Sequence, residues 1–444
     1  MKPLMLITGP VATRSGYGSH SRDLCRSLIA MDKFDIKINS LRWGNTPMNA
    51  LDESKPEDVE ILSRILTNNE LPRQPEIHIQ ISVPNEFTAL AKYNIGITAG
   101  IENTAPKAEW IQGMNRMNMN IVPSKFVKNT FESVSYEEIN EQTQQKTGEL
   151  KCTSPIEVLF EGADTKIYGK TKDISDDLKA EMSSIGERFV FLYTGHWLQG
   201  DLGHDRKDTG MLLKTFLETF KNMPNPPALV MKTSGATFSI IDRNEIKQKI
   251  EDIKDTVKGE LPPVYFLHGD LSDEEMNQLY NHPKVKAHIT FTHGEGFGRP
   301  LLEASLSEKI VIAPNWSGHI DFLNKNNSVL LPGSMTKVHS SSLPKEMLVQ
   351  EAQWFTVNYQ YASQVMKDVF KNHRKYTMMA KKQSMYNRVN FSMDKMTKEF
   401  VKILDRRLPK FEAQPQQVDL KLPKLKKVGE SKPQSMKLPK LKKV

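Results

Sequence analysis

Two glutamates, Glu295 and Glu303, stand with seven residues between them in HGEGFGRPLLEASLSE (293–308). Gly296 and Gly298 leave room for backbone amides to approach a ligand closely. Pro300 suits the first turn of a helix. A helix start attracts phosphate through its free N–H groups and its dipole. Carboxylates in such a turn can accept hydrogen bonds from sugar or ribose hydroxyls. The chemistry this pattern suits is the handling of a phosphorylated, hydroxyl-rich ligand. For an isolated pair, solvated helix-end charge is the simpler reading, and the surrounding segments reverse it.

Other candidates follow strand-like runs. Arg206 and Lys207 lie in a charged loop, where surface exposure competes with a phosphate role, and Lys232 closes the apolar run ALVMKTS (228–234). Gly16 and Gly18 belong to a loop after the first strand, where they either shape a turn or approach a ligand. Glu102, Asn85 and Glu86 also follow strands and are candidate acceptor-side groups, with helix capping the competing role for Glu102. A metal is not implied. No Asp-x-Asp occurs, and His196 and His204 lack the HExxH or cysteine partners a zinc site needs.

The elements that must position these residues alternate. Strand-like runs at 4–8, 77–83, 94–98, 119–122 and 156–160 are interleaved with helix patterns at 22–31 and after Ser124, an N-cap. The polar stretch 136–151 reads as a surface excursion, and 165–188 as an interdomain connection. A second series begins at FVFLYTG (189–195) and continues through strands at 228–234, 263–269, 287–293 and 309–314. Helix patterns at 211–220, 242–258, 273–280 and 300–308 separate them, and residues 353–408 read as helical. Two such series predict an α/β protein with two Rossmann-like domains.

In this order and spacing, the segments resemble the retaining GT-B glycosyltransferases of glycosyltransferase family 4. The EGFGxPxxEA setting of Glu295 and Glu303 is similar to that family's donor-site motif. IGITAGIENTAPKAEW (95–110), NIVPSKFVKNTF (120–131) and IEVLFEGADTKIY (156–168) are similar to its N-domain signatures. DRKDTGMLLKTFLETF (205–220) is similar to its phosphate-site segment, and NFSMDKMTKEFVKIL (390–404) resembles its closing helix. The resemblance covers about residues 1–405 and implies two domains facing a cleft. Their bounds would be 1–170 for the acceptor domain, 171–355 for the donor domain, 356–408 for returning helices and 409–444 for a disordered basic tail.

The resemblance implies that Glu303 binds ribose hydroxyls and Glu295 the donor sugar, with the Phe297 and Gly298 amides beside sugar or phosphate. Arg206 or Lys207, with Lys232, would neutralise the diphosphate, and Ser15 to Gly18 would close over the phosphate or the acceptor from the other domain. Two positions depart from the family pattern. His196 and Trp197 follow Gly195 where an arginine is usual, so that role falls to Arg206. Arg299 replaces an aliphatic residue and would reach the acceptor, a second phosphate or solvent. No cofactor is implied beyond the nucleotide diphosphate sugar, which is a substrate.

Composition sets the bounds. The chain has 444 residues and only two cysteines, Cys25 and Cys152, which excludes a disulfide framework. No apolar run is long enough to span a membrane, and MKPLMLITGP is a poor signal peptide, so a reducing, cytoplasmic setting is expected. The net charge is +8, and residues 410–444, with ten lysines and three acidic residues, carry +7 of it. KLPKLKKV occurs there twice, at 421–428 and 437–444. Lysine and proline at this density form no core and suit contact with a polyanion. The acceptor classes left open are a glycan or lipid-linked saccharide, a protein, and a nucleic acid, with DNA carrying a hydroxylated base the leading specific reading. Two alternatives remain: a non-catalytic binding protein recruited by its tail, and an epimerase or phosphorylase on the same fold.

Overall fold

Apolar runs of both series form strands buried on both faces, the pattern that parallel sheets require. A computed structural model describes residues 2–68, 70–140, 142–143, 145–235, 237–342 and 349–411. The repeated basic segments lie outside these residues. The first half contains β1 (Leu4–Gly9), β2 (Asp35–Ser40), β3 (Ile77–Ile81), β4 (Tyr93–Ile97), β5 (Met119–Val122), β6 (Ser135–Ile139), β7 (Lys146–Lys151) and β8 (Ile156–Val158). The second contains β9 (Val190–His196), β10 (Ala228–Ser234), β11 (Val264–Leu267), β12 (Val285–Ile289), β13 (Ile310–Pro314), β14 (Val329–Leu331), β15 (Gly333–Lys337) and β16 (Gln353–Val357).

Two six-stranded parallel sheets result, in the orders β2-β1-β3-β4-β5-β8 and β11-β10-β9-β12-β13-β14. In the second sheet the chain direction across the sheet reverses between β9 and β12. The loops leaving these two strands therefore splay apart and open a crevice at their carboxyl ends. The first sheet reverses in the same way between β1 and β3.

Two expectations need correction, and one gains detail. The first helix runs from Gly16 to Met31, starting well before Arg22, because the Ser15 side chain accepts from the Gly18 amide at 3.0 Å and caps it. The surface excursion expected at 136–151 contains the exposed, antiparallel strands β6 and β7. The region from Gln353 opens with β16, antiparallel to β15, and turns helical only at Tyr359. Its Trp354 and Phe355 are buried, so a strand serves them better than an exposed helix start.

The helix Met393–Arg407 returns to the first half. Ser27 and Thr397 share a hydroxyl hydrogen bond of 2.8 Å, and Arg406 and Arg407 both reach Glu157, at 2.7 and 2.6 Å. Its entry is stitched by backbone: Ala163 donates to the Phe391 carbonyl at 3.0 Å and Met393 to the Ala163 carbonyl at 2.8 Å. Residues 2–409 pack as one unit. A Cβ at Gly162 would sit 2.7 Å from Met393 Cα and 2.8 Å from the Ser392 carbonyl oxygen. Gly162→Ala is therefore expected to loosen this seam at a cost of about 2 kcal/mol, read as a lower urea midpoint.

Candidate active site

The loops leaving β9, β10 and β12 meet the first half across a cavity of about 520 Å³. Gly195, His196, Arg206, Lys207, Lys232, Glu295 to Gly298, Arg299 and Glu303 line it from the second half. Gly16, Tyr17, His20, Ala99, Glu102 and Glu161 line it from the first.

Its floor is a charged triad. The Lys207 ammonium pairs with one Glu295 oxygen, and Arg206 Nη1 lies 3.6 Å from the other. Arg206 also reaches Glu102 at 3.3 Å and donates to the Gly294 carbonyl at 3.1 Å. The Glu295 amide donates to Ser317 Oγ at 2.9 Å, which fixes the start of the turn. Burial opposes ionisation of Glu295, but Lys207 and then Arg206 outweigh it and bring its pKa down to about 2. Arg206 lines the cavity, whereas Trp197 is a buried core residue of the second half.

Glu303 occupies a different environment on the helix Arg299–Leu306. Arg299 Nε bonds one of its oxygens at 3.0 Å, and the Tyr280 hydroxyl approaches the other at 3.4 Å. Burial dominates over Arg299 here, and the carboxyl pKa is pushed up to about 7. Arg299 lines the cavity, but its guanidinium is taken up by carboxylates. Its Nη1 lies 2.6 Å from Asp23, which is buried in the first half, so the guanidinium bridges carboxylates of both halves.

The turn itself is built around close approach. Gly298 has a φ of +97°, in the left-handed region, immediately before the helix. A Cβ at Gly296 would lie 2.3 Å from the Ala99 carbonyl oxygen, and Ser124 Oγ donates to the Gly296 carbonyl at 2.6 Å. Gly296 thus lines the cavity, and its missing side chain is also required by the close approach of the first half. The Phe297 ring is buried against Phe322, with centroids 4.9 Å apart, and only its backbone belongs to the site. Lys232 stands at the end of β10 with its ammonium 5.3 Å from the Phe238 ring centroid and in no ion pair with a described residue.

On the first-half wall, Tyr17 is pinned. Its hydroxyl bonds Thr98 Oγ1 at 3.0 Å and accepts from the Ala99 amide at 2.9 Å, while its ring stacks on Trp43 at 4.1 Å. The segment after Ser15 is the capped start of the first helix. Gly16 lines the cavity, whereas Gly18 is pressed against the Thr13 backbone, 2.3 Å from a built Cβ, and serves the loop. Glu102 reaches the cavity. Asn85 and Glu86 do not: they form a short turn whose carbonyls accept from Arg116 and Gln80, and the Glu86 carboxylate bonds Ser82. His196 lines the cavity and contacts Ser234 Oγ at 3.2 Å, while His204 stacks on His339 at 4.3 Å. Among the described residues no group of three or more His, Cys, Asp or Glu side chains could hold a metal.

Sequence reasoning passed over His20, Asp23, Glu161 and Tyr280. His20 is buried with its Nδ1 lacking a hydrogen-bond partner among the described residues, and burial holds its pKa down to about 3. Burial raises Glu161 to about 7 against the pull of Arg299. Glu161 had a readable signal, since it directly follows the strand-like run IEVLF. Asp23 had a fainter one, a charge on the buried face of a helix beside Leu24 and Leu28.

Two Rossmann-like sheets whose switch-point crevices face one cavity, with a final helix returning to the first half, define the GT-B fold. No family model and no curated protein matches the sequence. Solved structures do match the fold. HepE of Anabaena, in complex with UDP and glucose, is 13% identical over 91% of this chain and 100% of its own, with a TM-score of 0.56. Sucrose-phosphate synthase of Thermosynechococcus elongatus is 12% identical over 91% and 99%, with a TM-score of 0.58. A glycosyltransferase of Rickettsia africae is 14% identical over 91% and 98%, with a TM-score of 0.56.

The triad makes a thermodynamic prediction. Removing the ammonium leaves a buried carboxylate with only Arg206 nearby, so Lys207→Met is expected to lose roughly 3 kcal/mol at neutral pH. The double variant Lys207→Met/Glu295→Gln should recover most of that loss in chemical denaturation. Equal stability of the single variant and the wild type would contradict the pairing.

Proposed function

We propose that this chain is a retaining, metal-independent glycosyltransferase that moves a sugar from a nucleotide diphosphate donor to an acceptor hydroxyl. The observation that carries the reading is the convergence of three cations, Arg206, Lys207 and Lys232, with Glu295 and Glu303 on one switch-point cavity. HepE, of the same fold, has been solved with UDP and glucose and with UDP-glucose, which favours a UDP-sugar as donor.

In this reading Glu303 accepts both ribose hydroxyls and the diphosphate lies across the three cations. Glu295 is their counter-ion before the donor arrives and holds donor-sugar hydroxyls afterwards. As the glycosidic bond to the phosphate oxygen breaks, negative charge grows on the leaving diphosphate. Cations that are already fixed and desolvated stabilise that charge more in the transition state than in the ground state. The acceptor hydroxyl bonds to the anomeric carbon on the face the phosphate leaves, and its proton passes to the departing phosphate oxygen. No separate base is needed. The acceptor would enter along the wall of Tyr17, His20, Glu102 and Glu161, and the +7 tail favours an acceptor that is itself anionic.

The test is turnover with a panel of nucleotide sugars against hydroxylated-base DNA, lipid-linked saccharide and protein acceptors, with acceptor-free and phosphate-only controls. Glu303→Ala is expected to lower kcat/KM for the donor on the order of hundredfold to thousandfold, since two hydrogen bonds to a charged group disappear. Identical background turnover by wild type and variant with every pair would end the reading. Turnover in the controls alone would favour an epimerase or a phosphorylase.

The raised pKa of Glu303 gives a second test. Its carboxyl stays protonated up to about 7 and accepts two hydroxyl bonds only when ionised. Donor KM is therefore expected to fall as pH rises from about 6 to about 8. Glu303→Gln should show no such dependence.

A further inference from the structure

The helix His373–Asn390 packs on the second half through a polar face. Gln383 donates to the Phe322 carbonyl at 2.7 Å, Ser384 to the Leu306 carbonyl at 2.9 Å, and Asn387 to Ser305 Oγ at 2.7 Å. These buried bonds fix the helix in rotation, so its outer face is presented rigidly. That face carries a narrow apolar stripe: Met378, Met385 and Val389 are 60%, 72% and 69% exposed. Their spacing of seven and four residues puts them on one line of an α-helix.

Cations flank the stripe on both sides. Arg374, Lys381 and Arg388 recur every seven residues along one edge, and Lys375 and Lys382 along the other. The helix contains no Asp or Glu, and none of these five cations is in an ion pair with a described residue. No helix among the described residues is long and apolar enough to cross a membrane.

We propose that this helix face rests on the surface of an anionic lipid bilayer, with the Met–Met–Val stripe in the acyl boundary and the two cation rows among the headgroups. The pattern satisfies both demands of such a surface: apolar side chains to insert, and long basic side chains that can reach outward from an inserted helix. Nucleic acid fits less well. A phosphate backbone rewards the cations alone, and the exposed ring nearest the stripe, Tyr386, already packs against Phe391, with centroids 6.1 Å apart. A second copy of the chain fits less well too, because a two-fold contact would set this all-basic face against itself.

The test uses the full chain and phosphatidylcholine vesicles with and without phosphatidylglycerol, in a sedimentation assay. Binding is expected only with the anionic lipid and should weaken with salt. Arg374→Gln/Lys381→Gln/Lys382→Gln should reduce it on the order of hundredfold, at about fivefold per charge. Met378→Ser/Met385→Ser should reduce it about tenfold at unchanged charge. All five positions are exposed, so the thermal midpoint should hold and report that the variants are folded. No binding by the wild type, or wild-type binding by either variant, overturns the proposal. Loss of duplex-DNA affinity in the charge variant, with vesicle affinity unchanged in the serine variant, assigns the face to nucleic acid and also overturns it.

Discussion

The site depends on keeping charge out of water without leaving it unpaired. Glu295 is buried, and a carboxylate there is tolerable only because Lys207 and Arg206 stand beside it. Their positions follow from topology. Arg206 and Lys207 come from the loop after β9 and Glu295 from the loop after β12, and these strands are neighbours although many residues separate them. The strand order that opens the crevice is thus the same feature that brings the counter-charges to it.

A second constraint acts across the two halves. The Gly294–Gly298 turn lies against Ala99 and Glu102, where a Cβ on Gly294 or Gly296 would come within 2.4 and 2.3 Å of carbonyl oxygens. Ser124 and Asp321 add hydrogen bonds over the same seam: Ser124 Oγ to the Gly296 carbonyl, and the Lys125 amide to Asp321 at 2.8 Å. Glycine in this turn therefore answers to packing as well as to ligand access. One consequence is that a substitution here would disturb the relation between the halves before it altered any contact with a donor.

These two constraints explain what could be read from the chain alone. The strands of both sheets were legible because parallel strands covered on both faces are continuous apolar runs. Glu295, Glu303 and Lys232 were legible because strand ends and glycine turns are where open α/β sheets bind ligands. Arg206 and Lys207 carried no such mark beyond family resemblance, being charges in a charged loop. The pairing of Arg299 with Asp23 had no local signal, since its partners are far apart in sequence and only the closed fold brings them together. Asn85 and Glu86 shared the same strand-end signal as Glu102, yet their polar groups are taken up in a local turn. Position after a strand selects candidates, and only the hydrogen-bond partners decide among them.

Arg299 shows how a departure from a pattern can alter a site through the groups it pairs. An aliphatic residue here would leave Glu303 buried with only the Tyr280 hydroxyl at its oxygens, and that one bond alone would oppose desolvation of the carboxyl. With Arg299 in place, the cation supports the ionised form of Glu303 while Asp23 takes the other end of the guanidinium. The arginine cannot satisfy Glu303 alone, because a buried cation needs more than one partner when the first is only partly ionised near neutral pH. Asp23 supplies that second partner from the other half. The protonation state of Glu303 and the apposition of the two halves are therefore coupled through one side chain. Removing the Asp23 carboxylate would leave Arg299 with Glu303 as its contacting carboxylate and favour the ionised form of Glu303.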